Sequence, residues 1–186
     1  MQLFHQTDEK LISKAIQGDQ KAWLKLVTRY ESCVYKYTLR MTSNVADAMD
    51  LMQETFISVS RSLADFRGDS QFKTWLLRIA HFRTVEFYRK RKWFADESEM
   101  ESMDIEPEQG CPEFAFNRKQ QQEQIMKYMQ KLPFEQKLVV ELKVFQQQTF
   151  DDIARQLGVS NNTIKTRFYS ALDKLKVLME ASYDAA

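Results

Sequence analysis

Turn-forming residues are so scarce in this chain that few folds are open to it. Four glycines and three prolines punctuate 186 residues, in a sequence rich in Leu, Met, Gln and Lys. Sheets need frequent tight turns and β-branched runs, whereas long helices need neither, so the expectation is an all-α protein. A hydrophobic share of 44% beside 28% charged residues excludes collagen-like, mucin-like and wholly disordered chains. No apolar run approaches the roughly eighteen residues of a membrane span. The opening residues lack the basic patch and apolar core of a signal peptide, which makes the cytoplasm the expected compartment. Two cysteines and two histidines are scattered along the chain and give neither a disulfide framework nor a metal cluster. No metal or cofactor is expected. Cys33 reads as a core thiol and Cys111 as an incidental residue.

The net charge of +1 conceals a segregation. Residues 1–93 carry 16 Lys/Arg against 10 Asp/Glu, and residues 114–186 carry 11 against 8. Between them, residues 94–113 hold eight acidic groups and no basic one, together with Pro107, Gly110 and Pro112. Low hydrophobicity and like-charge repulsion leave that stretch little to fold with. The organisation expected is therefore two small basic helical domains, 1–93 and 114–186, joined by an acidic flexible linker over 94–113.

In the first domain a short helix is expected from about Thr7, and Gly18-Asp19 turns the chain into the next. There Trp23, Leu26, Val27, Tyr30, Val34, Tyr37 and Met41 recur at helical spacing. A third helix, after Thr42-Ser43-Asn44, is expected to bury Ala48, Leu51, Met52, Thr55, Val59 and Leu63. That places Asp47, Asp50 and Glu54 on one flank with Gln53 beside them. Such a flank is either a solvated face or a docking surface for a basic partner. The loop Phe66-Arg67-Gly68-Asp69-Ser70 leads to a fourth helix whose inner face is expected to carry Phe72, Trp75, Leu76, Ile79, Arg83 and Phe87. Its other side presents Arg78, Phe82 and Arg89 and runs into Arg89-Lys90-Arg91-Lys92. Cations for phosphates beside flat rings for unstacked bases suit single-stranded nucleic acid.

In the second domain Leu132-Pro133 opens a helix carrying Leu138, Leu142 and Phe145. Thr149 and Asp152 have capping-box spacing, Gly158 makes a turn, and Ser160 caps a last helix expected to bury Ile164, Phe168, Leu172 and Leu175. This order is that of a helix-turn-helix. The second of its helices offers Asn161, Asn162, Thr163, Lys165, Thr166, Arg167 and Tyr169, groups that can hydrogen-bond base edges and phosphates in a major groove.

Taken together the two halves resemble the extracytoplasmic-function (group four) sigma factors of bacterial RNA polymerase. Gly18-Asp19-Gln20-Lys21-Ala22-Trp23 resembles that family's GD..AF opening, and Asp47-Ala48-Met49-Asp50-Leu51-Met52-Gln53-Glu54-Thr55-Phe56 resembles DAEDLVQEVF. Phe66-Arg67-Gly68 with Phe72-Lys73-Thr74-Trp75-Leu76 and Arg78-Ile79-Ala80 resembles F.G...F..WL.RIA. Leu132-Pro133, Ile153-Ala154, Leu157-Gly158-Val159-Ser160 and Thr163-Ile164-Lys165-Thr166-Arg167 resemble LP…EIA..LGVS.GTVKSRL.

The resemblance implies a first domain of the region-two type, docking on core RNA polymerase through Asp47, Asp50, Gln53 and Glu54. It implies capture of the melted minus-ten strand by Phe66, Arg67, Trp75, Arg78, Phe82 and Arg89. The second domain would be of the region-four type, reading the duplex minus-thirty-five element with Asn161, Asn162, Thr163, Lys165, Thr166, Arg167 and Tyr169. The function implied is promoter selection without bond chemistry, under the control of an anti-sigma factor, a regulatory kinase or expression alone. Four positions depart from the family pattern: Met49 replaces a usual Glu, Phe82 an Asn, Asn162 a Gly and Ser170 an Arg. Met49 thins the acidic flank, which leaves open a charge supplied by phosphorylation of Thr55, Ser58 or Ser62.

The main alternative is a stand-alone helix-turn-helix regulator, normally a dimer spanning two half-sites. It leaves the acidic flank and the aromatic–basic helix unexplained. The sequence holds no P-loop, no GxGxxG after a strand, no HExxH and no nucleophile elbow, so an enzyme is not expected.

Overall fold

The computed structural model describes residues 6–95 and 127–183, with side chains for 6–91 and 127–181. Among the described residues every regular element is helical. The chain divides into two compact units, Met1–Asp104 and Ile105–Ala186.

The first unit contains α1 (Asp8–Ile16), α2 (Gln20–Thr42), α3 (Val45–Ser62) with a short 3-10 turn (Leu63–Asp65), and α4 (Phe72–Ala95). The expected linker, 94–113, lies outside the described residues apart from the last two positions of α4, as does Cys111. Local chemistry fixes the starts of these helices. Gly18 adopts φ +89°, a backbone that a side chain would strain, and hands the chain to Asp19. The Asp19 carboxylate accepts from the backbone N–H groups of Lys21 (2.9 Å) and Ala22 (3.2 Å). Asn44 does the same for α3, accepting from Asp47 N–H at 3.0 Å. Asp8, in the first turn of α1, accepts from both Arg29 and Tyr30, which pins α1 to α2.

Helix α2 packs on α1, α3 and α4. Leu26, Val34, Tyr37 and Met41 of α2 meet Ala48, Leu51, Thr55 and Val59 of α3 in the core, each large apolar side chain contributing about 1.5–3 kcal/mol. Thr38 donates across the interface to the Ala48 carbonyl at 2.9 Å, and Tyr88 of α4 donates to the Met41 carbonyl at 2.7 Å. Three expectations are corrected. Met52 is only half-buried, lining a groove between α2 and α3 with Trp23, Val27 and Phe56. Cys33 is a half-buried free thiol rather than a core one. The buried face of α4 is Phe72, Leu76, Leu77, Ala80, His81 and Thr84, while Trp75, Ile79, Arg83 and Phe87 lie on its border. Because α4 packs on both α2 and α3, its buried arc is wider than a single stripe.

The second unit contains the end of a helical segment at 127–130, then α5 (Phe134–Val140) continuing as a π-type turn (Glu141–Phe145), α6 (Phe150–Leu157) and α7 (Asn161–Tyr183). Met129, Leu132, Val140 and Ala171 form one cluster of its core, with Phe168 and Leu175 against them, and Leu142, Ile153 and Ile164 are wholly buried as well. Lys137 and Glu141 are also buried in this unit, and burial lowers the Lys137 pKa. The capping box is formed as spaced: Thr149 accepts from Asp152 N–H at 3.1 Å and donates to its carboxylate at 2.6 Å. Gly158, at φ +67°, turns the chain, and Ser160 accepts from Thr163 N–H at 3.1 Å. Leu172, expected inside, is 39% exposed, and Ala171 is buried instead. At about 100° per residue, position 171 falls about 20° from Ile164 around the helix, whereas position 172 falls about 80° away.

Candidate nucleic-acid and docking surfaces

Three exposed surfaces carry the candidate residues, two on the first unit and one on the second. The first is the flank of α3. Asp50, Gln53 and Glu54 are exposed on it, and Met49 stands beside them at 45% exposure. Asp47 is half-buried, because its carboxylate pairs with Arg91 of α4 at 2.9 Å. Thr55 on the opposite side is wholly buried and donates to the Leu51 carbonyl at 2.6 Å, so folded α3 does not offer it to a kinase. Ser58 and Ser62 are half-buried, donating to the carbonyls of Glu54 and Ser58; the Ser58 hydroxyl also accepts from Arg83 at 2.8 Å.

The second surface is the loop before α4 and the outer face of α4. Gly68 takes φ +80° at the tip of the loop. Ser70 donates to the Gln71 carbonyl rather than capping α4, and Trp75 N–H donates to that same carbonyl at 3.2 Å. Phe66 packs edge-on to Phe72 (5.5 Å) and against Trp75 (5.3 Å), and Tyr30 meets Phe72 from α2 at 5.3 Å. Phe66 and Trp75 are therefore half-buried anchors that hold the loop, with Arg67 exposed between them and the tip. Burial foremost, and then the bond to Asp8, pushes the Tyr30 hydroxyl pKa up, so this anchor stays neutral. On α4 itself Arg78, Phe82 and Arg89 all face solvent, Phe82 at 72% exposure.

The third surface is α7. Asn162, Lys165, Thr166 and Tyr169 are exposed and fall at i, i+3, i+4 and i+7, one stripe along the helix. The other three candidates on this helix have structural partners. The Asn161 amide donates to Asp151, Thr163 shares a hydrogen bond with Ser160 at 2.8 Å, and Arg167 pairs with Glu135 of α5 at 2.7 Å. Sequence periodicity placed all seven on one half-helix and gave no sign that Asn161 and Arg167 would be taken up by α6 and α5. Glu135 opposite Arg167 is a contact between helices, and no local spacing announces it.

Among the described residues no group of His, Cys, Asp and Glu is arranged to hold a metal, and no helix is long and apolar enough to cross a membrane.

Comparison with known proteins follows the same division. Residues 26–94 match the family described as Sigma-70 region 2, and residues 122–175 match Sigma-70, region 4. The chain is similar to the RNA polymerase sigma factor YlaC of Bacillus subtilis, at 31% identity over 84% of this chain and 91% of that protein. It is 29% identical to the ECF RNA polymerase sigma-E factor of Escherichia coli, over 91% of this chain and 92% of that one. The sigma factor RpoE of Bartonella quintana, solved in complex with the anti-sigma factor NepR, shares the fold with a TM-score of 0.66 at 22% identity, over 86% of this chain and 98% of that one.

Proposed function

Since the chain belongs to the extracytoplasmic-function sigma factors of RNA polymerase, we propose that it is an alternative sigma factor that brings the core enzyme to a set of promoters and holds the melted minus-ten strand. The observation that carries this reading is the order of surfaces along one chain. An acidic flank on α3 and an aromatic–basic face on α4 precede a helix-turn-helix whose last helix presents an exposed polar stripe.

Each surface has a task suited to its chemistry. Asp50, Gln53 and Glu54 dock on a basic surface of the polymerase, with Asp47 contributing once it leaves Arg91. Arg67, Arg78 and Arg89 hold the phosphates of the unpaired strand. Phe66 and Trp75 act from behind, fixing the loop against α4, and Phe82 faces the strand directly. Asn162, Lys165, Thr166 and Tyr169 enter the major groove of the minus-thirty-five element, while Asn161, Thr163 and Arg167 set the position of α7. The cost of unstacking bases is offset by ring and phosphate contacts, so the protein needs no reaction of its own, and the polymerase supplies the bond chemistry. We therefore read the chain as a non-enzymatic cytoplasmic factor. An anti-sigma protein is the regulatory partner that this reading favours, by similarity to RpoE, which was solved with the anti-sigma factor NepR; of the three hydroxyls, Thr55 is closed to modification, while Ser58 and Ser62 are half-buried.

The test is titration of the full chain against core RNA polymerase. Saturable binding that is weakened by Asp50→Ala and Glu54→Ala is expected, each by roughly two- to fivefold, as exposed charge contacts go. Failure of the wild-type chain to bind would end the sigma reading and leave a free-standing helix-turn-helix regulator.

A further inference from the structure

The outer face of α4 carries a continuous stripe at i, i+4, i+7 and i+11: Arg78, Phe82, Val85 and Arg89. All four are exposed, Phe82 at 72% and Val85 at 38%. Leaving a phenylalanine so exposed forgoes a stabilisation of burial that its neighbours on the inner face obtain. The cations of this helix differ in the same sense. Arg83 and Lys90 pair with Glu86, and Arg91 pairs with Asp47. Arg78 and Arg89, at the two ends of the stripe, have no carboxylate partner among the described residues. They stand roughly 16 Å apart along the axis, too far to share one phosphate and spaced to contact a strand on either side of the apolar centre.

That centre has no hydrogen-bonding group. A phenyl ring and two methyl groups offer a base its flat face and nothing for its edge. We propose that Phe82, backed by Val85, is a specificity-determining residue that holds one unpaired base of the melted strand by stacking alone. The site takes that base without reading its Watson–Crick edge and prefers purines for their larger face. This deepens the single-strand role proposed above and rests on it, adding which residue receives a base and on what criterion.

The experiment uses the full chain bound to core polymerase and fluorescent single strands of about twelve nucleotides, with one abasic site walked along the strand. At one position the abasic site is expected to weaken binding roughly 5- to 150-fold for the wild type and to have no effect on Phe82→Ala. At that position non-hydrogen-bonding shape mimics of adenine and thymine restore binding to within about twofold of the natural bases. Purines exceed pyrimidines there, and Phe82→Asn removes that order. If the mimics bind as poorly as the abasic strand, the edge is being read and the proposal is overturned. It is equally overturned if no abasic position depends on Phe82, or if Phe82→Ala weakens polymerase binding instead of strand binding. Failure of the broader reading looks different: Arg78→Ala with Arg89→Ala would then leave single-strand affinity unchanged.

Discussion

His81 is 8% exposed on the inner face of α4, its Nδ1 lying 3.4 Å from the hydroxyl of Tyr37, which is itself wholly buried. Burial lowers its pKa from 6.5 to about 4, because a charged imidazole would lose its hydration there without gaining a counter-charge. The folded state thus binds its proton less readily than the unfolded one. The contribution of His81 to stability is complete above pH 6.5 and is lost as the pH falls from 6.5 toward 4. By pH 5 the loss amounts to about 2 kcal/mol. Chemical denaturation of the wild type at pH 7 and pH 5, beside His81→Gln, checks this. The variant is expected to lose less stability between the two pH values, by about that amount. Equal losses would mean that the neutral buried histidine is not the acid-sensitive group. Nothing in the sequence singled out His81, since its burial depends on α4 packing against two helices at once.

At the scale of elements, α7 separates two kinds of cation on one helix. Lys165 projects freely, whereas Arg167 is 29% exposed and paired with Glu135. Lys165→Ala is expected to reduce affinity for duplex minus-thirty-five DNA about tenfold and to lower the salt slope of binding by about one unit. Arg167→Ala is expected to cost less than about 1 kcal/mol of stability, as an exposed ion pair does, with a smaller loss of DNA affinity. Equilibrium binding across a salt series, together with thermal unfolding, distinguishes the two; an Arg167 effect exceeding that of Lys165 would reverse their roles. What the sequence made legible was set locally. Asp19, Asn44, Thr149 and Ser160 cap helices from within three residues, and the i, i+3, i+4 spacing of Leu and Ile marks inner faces. What it hid depends on neighbours distant in the chain. The Asp47–Arg91 pair joins residues 44 apart, and Asp8 reaches Arg29 and Tyr30 over more than 20. Met52 and Leu172 have apolar side chains at helical spacing yet meet a groove and open solvent, because no facing element among the described residues comes to cover them.

For the whole molecule, the arrangement of charge couples the two tasks of the first unit. Under the proposed function its excess of cations would serve nucleic acid, and its few acids on α3 would have to serve a basic partner without being neutralised by those same cations. The structure shows one such neutralisation: Arg91, from the basic run of α4, pairs with Asp47, while Asp50 and Glu54 have no ion-pair partner among the described residues. Met49 sits among them at 45% exposure, where a carboxylate would be solvated and available. Met49→Glu adds a charge there and Arg91→Ala releases one, so both substitutions should tighten binding to core polymerase, each by up to about fivefold. Both gains should shrink as ionic strength rises, because the screening length falls from about 30 Å at 0.01 M to about 8 Å at 0.15 M. Parallel titrations at low and moderate salt, with Arg91→Lys as a charge-retaining control, measure this. If neither substitution alters affinity at low salt, the α3 flank is not the docking surface, and the polymerase must engage the first unit elsewhere. If only Met49→Glu does, the Asp47–Arg91 pair stays closed in the complex and the flank works with Asp50 and Glu54 alone.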